Sequence, residues 1–149
     1  MEAAAIDFET TGYENGKSND PWQLGIAIIR DGVICETKEF FFGTEQTPDY
    51  ESIFAQWEQF FPYLQGRTLI AHNIATERTI LTRLAPLTKW AGWIDTLRLA
   101  KARYPKLDNY QLGALCERFN LVREFENRTW HDGLFDAIHC ARLALFLGI

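Results

Sequence analysis

The stretch Ala3-Ala4-Ala5-Ile6-Asp7-Phe8-Glu9-Thr10-Thr11-Gly12 constrains this chain most. Small and apolar residues lead to two carboxylates spaced i, i+2, and two threonines and a glycine end the run. In an extended strand, successive side chains alternate faces. Asp7 and Glu9 therefore share one face while Ile6 and Phe8 take the other. Carboxylates on one face repel unless a cation sits between them, and hard divalent metals such as magnesium prefer oxygen ligands. Taken alone, the pair reads equally well as the wet side of an edge strand.

The following residues give a coarse layout. Trp22 to Arg30 reads as a buried strand, Asp31-Gly32 as a tight hairpin turn, and Val33 to Phe42 as the partner strand. Tyr50 to Leu64 changes period: Ile53, Trp57, Phe60, Phe61 and Leu64 fall at helical spacing. Arg67 to Ala71 predicts a short strand, Ile74 to Leu84 a helix, and Trp93 to Asp95 a second short strand. Thr96 to Arg103, Gln111 to Phe119 and Asp132 to Phe146 predict helices. Leu121 to Thr129 is charged and non-periodic, and reads as a mobile surface loop. The expected fold is α/β: a mixed five-stranded sheet, an antiparallel meander plus two parallel strands, flanked by helices.

Length and composition narrow the class. At 149 residues, with 47% hydrophobic and 14% aromatic content, the chain reads as one folded domain rather than a disordered segment. No apolar run approaches a bilayer span, and the start carries no signal-peptide pattern. Cys35, Cys116 and Cys140 fit no metal-binding pair; buried free thiols in a reducing, cytoplasmic setting are expected. The net charge of −5 argues against a protein coated in basic charge. Its distribution is uneven. Residues 1–62 hold 12 acids and 3 bases, whereas residues 78–106 hold 7 bases and 1 acid. That contrast suits an acidic metal site beside a path for phosphates; the bases also read as solvated helix faces.

Two more places carry candidate chemistry. His72-Asn73 through Glu77 follows a strand, at the edge where open α/β sheets bind ligands. Capping by His72 and Asn73, with Glu77 favouring the helix macrodipole, would explain the same residues without function. Near the end, His131 precedes the last helix and Asp136 lies five residues on. Asp136 has apolar neighbours, so a carboxylate there needs a cation partner. A histidine in the preceding loop is placed to take a proton from water. The plain alternative is a capping Asp132 beside an incidental histidine.

Together these segments resemble the DEDDh-type (DnaQ-like) 3′–5′ exonuclease superfamily, which includes polymerase proofreading subunits, ribonuclease T and oligoribonuclease. Asp7-Phe8-Glu9-Thr10-Thr11-Gly12 matches its first motif, Ala71-His72-Asn73 through Glu77 resembles the second, and His131 through Asp136-Ala137 matches the third. Ile94 to Ala100 and Tyr110 to Cys116 resemble its intervening segment, so the resemblance runs along essentially the whole chain.

The resemblance implies a ribonuclease H-like fold and two magnesium or manganese ions. Asp7, Glu9 and Asp136 would hold one, Asp7 would be shared with the second, and Glu77 would join as a ligand. His131 would act as the general base, and the products would be nucleoside 5′-monophosphates released from the 3′ end. Thr10, Thr11, Gly12, Tyr13 and Asn73 would contact substrate, while Asp95 reads as structural.

The chain departs from the family pattern at two positions. Glu77 stands where the family usually has aspartate, and Thr76 where it usually has an aromatic residue. The expected substrate is a single-stranded or frayed DNA 3′ end. RNA ends, or a degenerate module that binds without cutting, are the alternatives. A homodimer or a targeting partner is compatible, a membrane is not expected, and a piece of a larger polypeptide remains open.

Overall fold

The computed structural model describes residues 2–12 and 19–149. The elements run β1 (Glu2–Thr10), β2 (Pro21–Arg30), β3 (Val33–Phe41), α1 (Ile53–Leu64), β4 (Thr68–Ala71), α2 (Ala75–Leu84), β5 (Gly92–Asp95), α3 (Thr96–Arg103), α4 (Leu112–Arg118) and α5 (Gly133–Phe146). The five strands form one sheet in the order β3-β2-β1-β4-β5. β1–β2 and β2–β3 are antiparallel, whereas β1–β4 and β4–β5 are parallel. This is the mixed ribonuclease H-like sheet that the sequence predicts, with β1 at its centre.

Local chemistry sets the boundaries. Asp31 and Gly32 both have positive φ, 53° and 75°, as a primed two-residue hairpin requires. Helix α1 starts later than its apolar spacing suggests because Ser52 caps it, its Oγ accepting the Ala55 N–H at 3.1 Å. Cys35, the extra residue of a bulge in the edge strand β3, is exposed, contrary to the expectation of three buried thiols; Cys116 and Cys140 are buried.

The two sheet faces differ in kind. One carries Ile6, Phe8, Leu24, Ile26 and Ile28, packed against Phe60 and Leu64 of α1 and Ile80 and Leu81 of α2. The other carries Ala3, Ala5 and Ala27 beneath Cys140, Ala141 and Ala144 of α5. Small side chains on both partners let this helix lie close to the sheet. The approach is tightest at Gly25, which pairs with Asp7 in the β1–β2 register. A Cβ on Gly25 would lie 2.1 Å from the carbonyl oxygen of Gly133 and 2.5 Å from the Leu134 nitrogen. A glycine inside a strand marks such a close backbone approach. Here it sets the first turn of α5 against the middle of the sheet, one strand from Asp7.

Segment 121–129 is not a free connection. Arg142 Nε donates to the Leu121 carbonyl at 2.7 Å, the Arg123 N–H donates to His139 Nε2 at 3.1 Å, and Arg128 is bonded to Glu39 of β3. The non-periodic sequence hides these long-range partners.

Gly25→Ala is expected to cost about 3 kcal/mol in urea unfolding, because the added methyl meets backbone that cannot rotate away. Gly32→Ala, with open space around its Cβ position, carries only a left-handed φ and should cost about 1 kcal/mol. Equal costs would refute the close-approach account.

Candidate active site

β1 delivers Asp7 and Glu9, and α5 delivers Asp136 in its first turn. One carboxylate oxygen from each lies within 4.8 Å of the others. Burial alone would raise the proton affinity of such groups, and their mutual repulsion adds to it. Asp7 is held well above the usual carboxylate range, by burial first and then by Glu9, Glu77 and Asp136. Its Oδ2 is buried with no hydrogen-bond partner. Asp136 is pushed up to about 7, mainly by burial and then by Glu9. Its place in the first turn of α5 should favour the charged form through the helix dipole; desolvation and repulsion outweigh that. An orphaned buried carboxylate oxygen among crowded acids is a donor set that a hard divalent cation would satisfy. Asp7, Glu9 and Asp136 therefore fit such an ion.

Glu77 does not join this group of three. It is 4% exposed, and its Oε1 accepts the Phe8 N–H at 3.3 Å. The pairing of β4 with β1 ends at Ala5↔Ile70, which leaves the Phe8 amide without a strand partner on that side. Glu77 takes the place of that missing strand. Burial pushes it up to about 7, and its bonds to backbone N–H groups offset this only in part.

His131 is exposed and has φ 69°. Its N–H faces both oxygens of Asp136 at 3.3 Å. No hydrogen bond to its imidazole is made among the described residues. His131 and Asp136 line a cavity of about 740 Å³ together with Asn73, Leu97, Lys101, Tyr110 and Trp130. His72 lines it too, but its ring is occupied. Nε2 meets the Tyr110 carbonyl at 2.7 Å and Nδ1 meets the Thr96 hydroxyl at 2.8 Å. Burial lowers its proton affinity, and the ring, held at both nitrogens, braces the far wall. Asp95 is structural, as expected: Oδ1 accepts the N–H groups of Asn73 at 2.9 Å and of Leu97 at 3.0 Å.

The substrate-contact candidates fare unevenly. Asn73 lines the cavity, its backbone at φ 67°. The Thr11 N–H donates to the Asp20 carbonyl at 2.9 Å and the Gly12 N–H to Asn19 Oδ1 at 2.8 Å. Those two amides are thus engaged within the protein. Thr10 closes β1, and Tyr13 lies outside the described residues.

Several residues that support the site escaped sequence reasoning. Gln23, 1% exposed, pairs with Glu9 in register and accepts the Gly133 N–H at 2.8 Å. Glu39 and Arg128 form a two-pronged ion pair, both contacts at 2.7 Å. A polar residue and a glycine inside the apolar run of β2 were the available signal.

No family model matches the chain. Among curated proteins it is similar to the PolC-type DNA polymerase III of Caldanaerobacter subterraneus subsp. tengcongensis, 27% identical over 88% of this chain and 11% of that protein. It is also similar to that of Mycoplasmopsis pulmonis, 27% identical over 82% and 10%. The chain spans about a tenth of the length of these relatives. Among solved structures it resembles the nuclease domain of 3'hExo, a DEDDh family member, bound to rAMP: TM-score 0.79, 16% identity, 98% of this chain and 90% of that one. It likewise resembles Exonuclease X in complex with 5' overhanging duplex DNA: TM-score 0.72, 22% identity, 97% and 90%.

The raised carboxyls make a prediction about the metal-free protein. An acid whose folded-state proton affinity exceeds its unfolded one loses stability as pH rises between the two values. For Asp136 that window runs from 3.8 to about 7, above which the penalty is complete. In chelator, Asp136→Asn should therefore raise the melting temperature at pH 8, and raise it less at pH 5. Manganese added at pH 8 should stabilise the parent and not the variant. An equal gain at both pH values would contradict the burial and repulsion derived above.

Proposed function

We propose that this chain, which has the fold of the DEDDh exonucleases, is a metal-dependent 3′–5′ exonuclease acting on single-stranded or frayed DNA ends, with residues 1–149 as its exonuclease domain. One observation carries the reading: Asp7, Glu9 and Asp136 converge, Asp7 and Asp136 with raised proton affinity, beside a cleft that Asp136 and His131 line. Asp7, Glu9 and Asp136 would hold one divalent ion, and Asp7 with Glu77 a second, magnesium or manganese in each case. Such a pair, when bound, supplies charge stabilisation for the attacking and leaving oxygens of an in-line phosphodiester displacement.

The remaining work falls to the chain itself. His131, exposed at the cleft with its ring unbonded among the described residues, takes a proton from the attacking water. Asn73 and the Thr10-Thr11-Gly12 turn flank the terminal nucleotide. Leu97, Tyr110 and Trp130 offer apolar and aromatic surface for unstacked bases. Lys101 brings a positive charge to the same cleft, where it serves the phosphate backbone. His72, bonded on both ring nitrogens, keeps the Tyr110 wall in place.

Similarity to PolC-type DNA polymerase III supports DNA as substrate. A second reading, RNA 3′ ends, is favoured by the likeness to a nuclease domain bound to rAMP.

The test is digestion of matched 5′-labelled single-stranded DNA and RNA oligonucleotides with Mg²⁺, Mn²⁺ or EDTA. A metal-dependent ladder shortening from the 3′ end is expected, faster on DNA and absent in Asp7→Ala. His131→Ala should slow turnover by about 10²- to 10⁴-fold at unchanged metal half-saturation. A faster RNA ladder would favour the second reading. Binding without shortening of either strand would make the chain a non-cutting end-binding module.

A further inference from the structure

We propose that Arg128, clamped by Glu39 of β3, is the positioning residue that fixes His131 over the carboxylate cluster; this rests on the exonuclease reading above. The imidazole of His131 is exposed. No side chain among the described residues bonds it, so its aim depends on its backbone. That backbone is in the left-handed region at φ 69°, as are Glu126 at 48° and Asn127 at 59°. Non-glycine residues stay there only when their surroundings over-determine them.

Arg128 supplies that surrounding structure. Nη1 and Nη2 each meet a Glu39 carboxylate oxygen at 2.7 Å. Nη1 also meets Asp132 Oδ1 at 3.2 Å, and Nε meets Glu126 Oε2 at 3.4 Å. The planar fork suits a carboxylate two-pronged, which fixes direction as well as distance. Gln23 extends the network: Nε2 reaches Glu39 at 3.2 Å and Asp132 at 3.4 Å, while Oε1 accepts the Gly133 N–H. His131 is thus bracketed. Arg128 lies before it, Asp132 and Gly133 lie after it, and all three are tied to the paired strands β2 and β3. Asp132 in turn caps α5 through the Phe135 N–H at 2.9 Å. The pegs stand on the sheet beside the carboxylates, so loop and cluster share one frame.

The experiment has a kinetic and a structural arm. On the oligonucleotide that the parent digests, Arg128→Ala should lower kcat about 10- to 100-fold, leaving KM and Mn²⁺ half-saturation unchanged. In a His131→Ala background the same change should have no further effect, since there is no base left to misplace. Arg128→Lys, which keeps the charge facing Glu39 and Asp132 but not the two-pronged fork, should lose less than Arg128→Ala. Equal factors in both backgrounds, or no fall in kcat, would overturn the proposal in favour of a merely structural ion pair.

The structural arm needs no activity. The full set of three-bond couplings about the N–Cα bond of His131, which together fix φ where the amide–Hα coupling alone does not, should report the left-handed backbone in the parent and its loss in Arg128→Ala. Unchanged couplings in a folded variant would overturn the positioning role. Absence of digestion by the parent would refute the exonuclease reading and the kinetic half of this proposal, while the couplings would still decide whether Arg128 holds the His131 backbone.

Discussion

Three carboxylates drawn together in a partly buried place repel one another, and everything around them is arranged to hold them there. The force that does so is apolar packing at short range. Gly25 lets the Gly133 backbone settle on β2, and Ala3, Ala5 and Ala27 do the same for the turns of α5 that follow. Apart from Ile29, the buried bulky residues of β1 and β2 point the other way, into the layer under α1 and α2. The fold therefore concentrates its large hydrophobic contacts on one face and spends the closeness of the other on a charged site. Packing interiors to high density is what lets one face hold an arrangement that electrostatics opposes.

The walls of the site answer a second need, fixing polar groups at a sheet edge where regular pairing has stopped. β4 leaves the Phe8 amide unpaired, and Glu77 takes it. Asp95 caps α3 and also holds the turn at Asn73. His72 spans from Thr96 to Tyr110. Each of these side chains substitutes for a strand or turn partner. This is how buried backbone donors and acceptors stay satisfied around an opening.

The acids were legible because a strand alternates and a helix repeats. Asp7 and Glu9 share a face by parity, and the five strands could be read from short apolar runs and turn residues. What joins distant segments was not legible in the same way. Nothing local announces that Glu39 and Arg128, 89 residues apart, meet as a fork, or that the charged stretch 121–129 is fastened at three places. Gly25 was visible as a glycine in an apolar strand, but the element that would approach it was not. One thiol of the three failed for a similar reason: Cys35 faces solvent at a bulge in the edge strand β3, and strand register is a long-range property. Glu77 is intermediate. Its place at a helix start was readable, yet the amide it bonds is free only because two strands diverge.

The sheet order carries a consequence for assembly. β1 precedes the strands it pairs with and lies in the middle of the sheet, while the helix that completes its face follows all five strands. During synthesis β1 can pair with β2 at once, but its alanine face stays uncovered until α5 emerges. The third carboxylate arrives with that helix, whose burial also drives the acids together. The charged cluster and the final apolar closure are thus a single late event. A chain cut before α5 lacks Asp136 and so has no such centre.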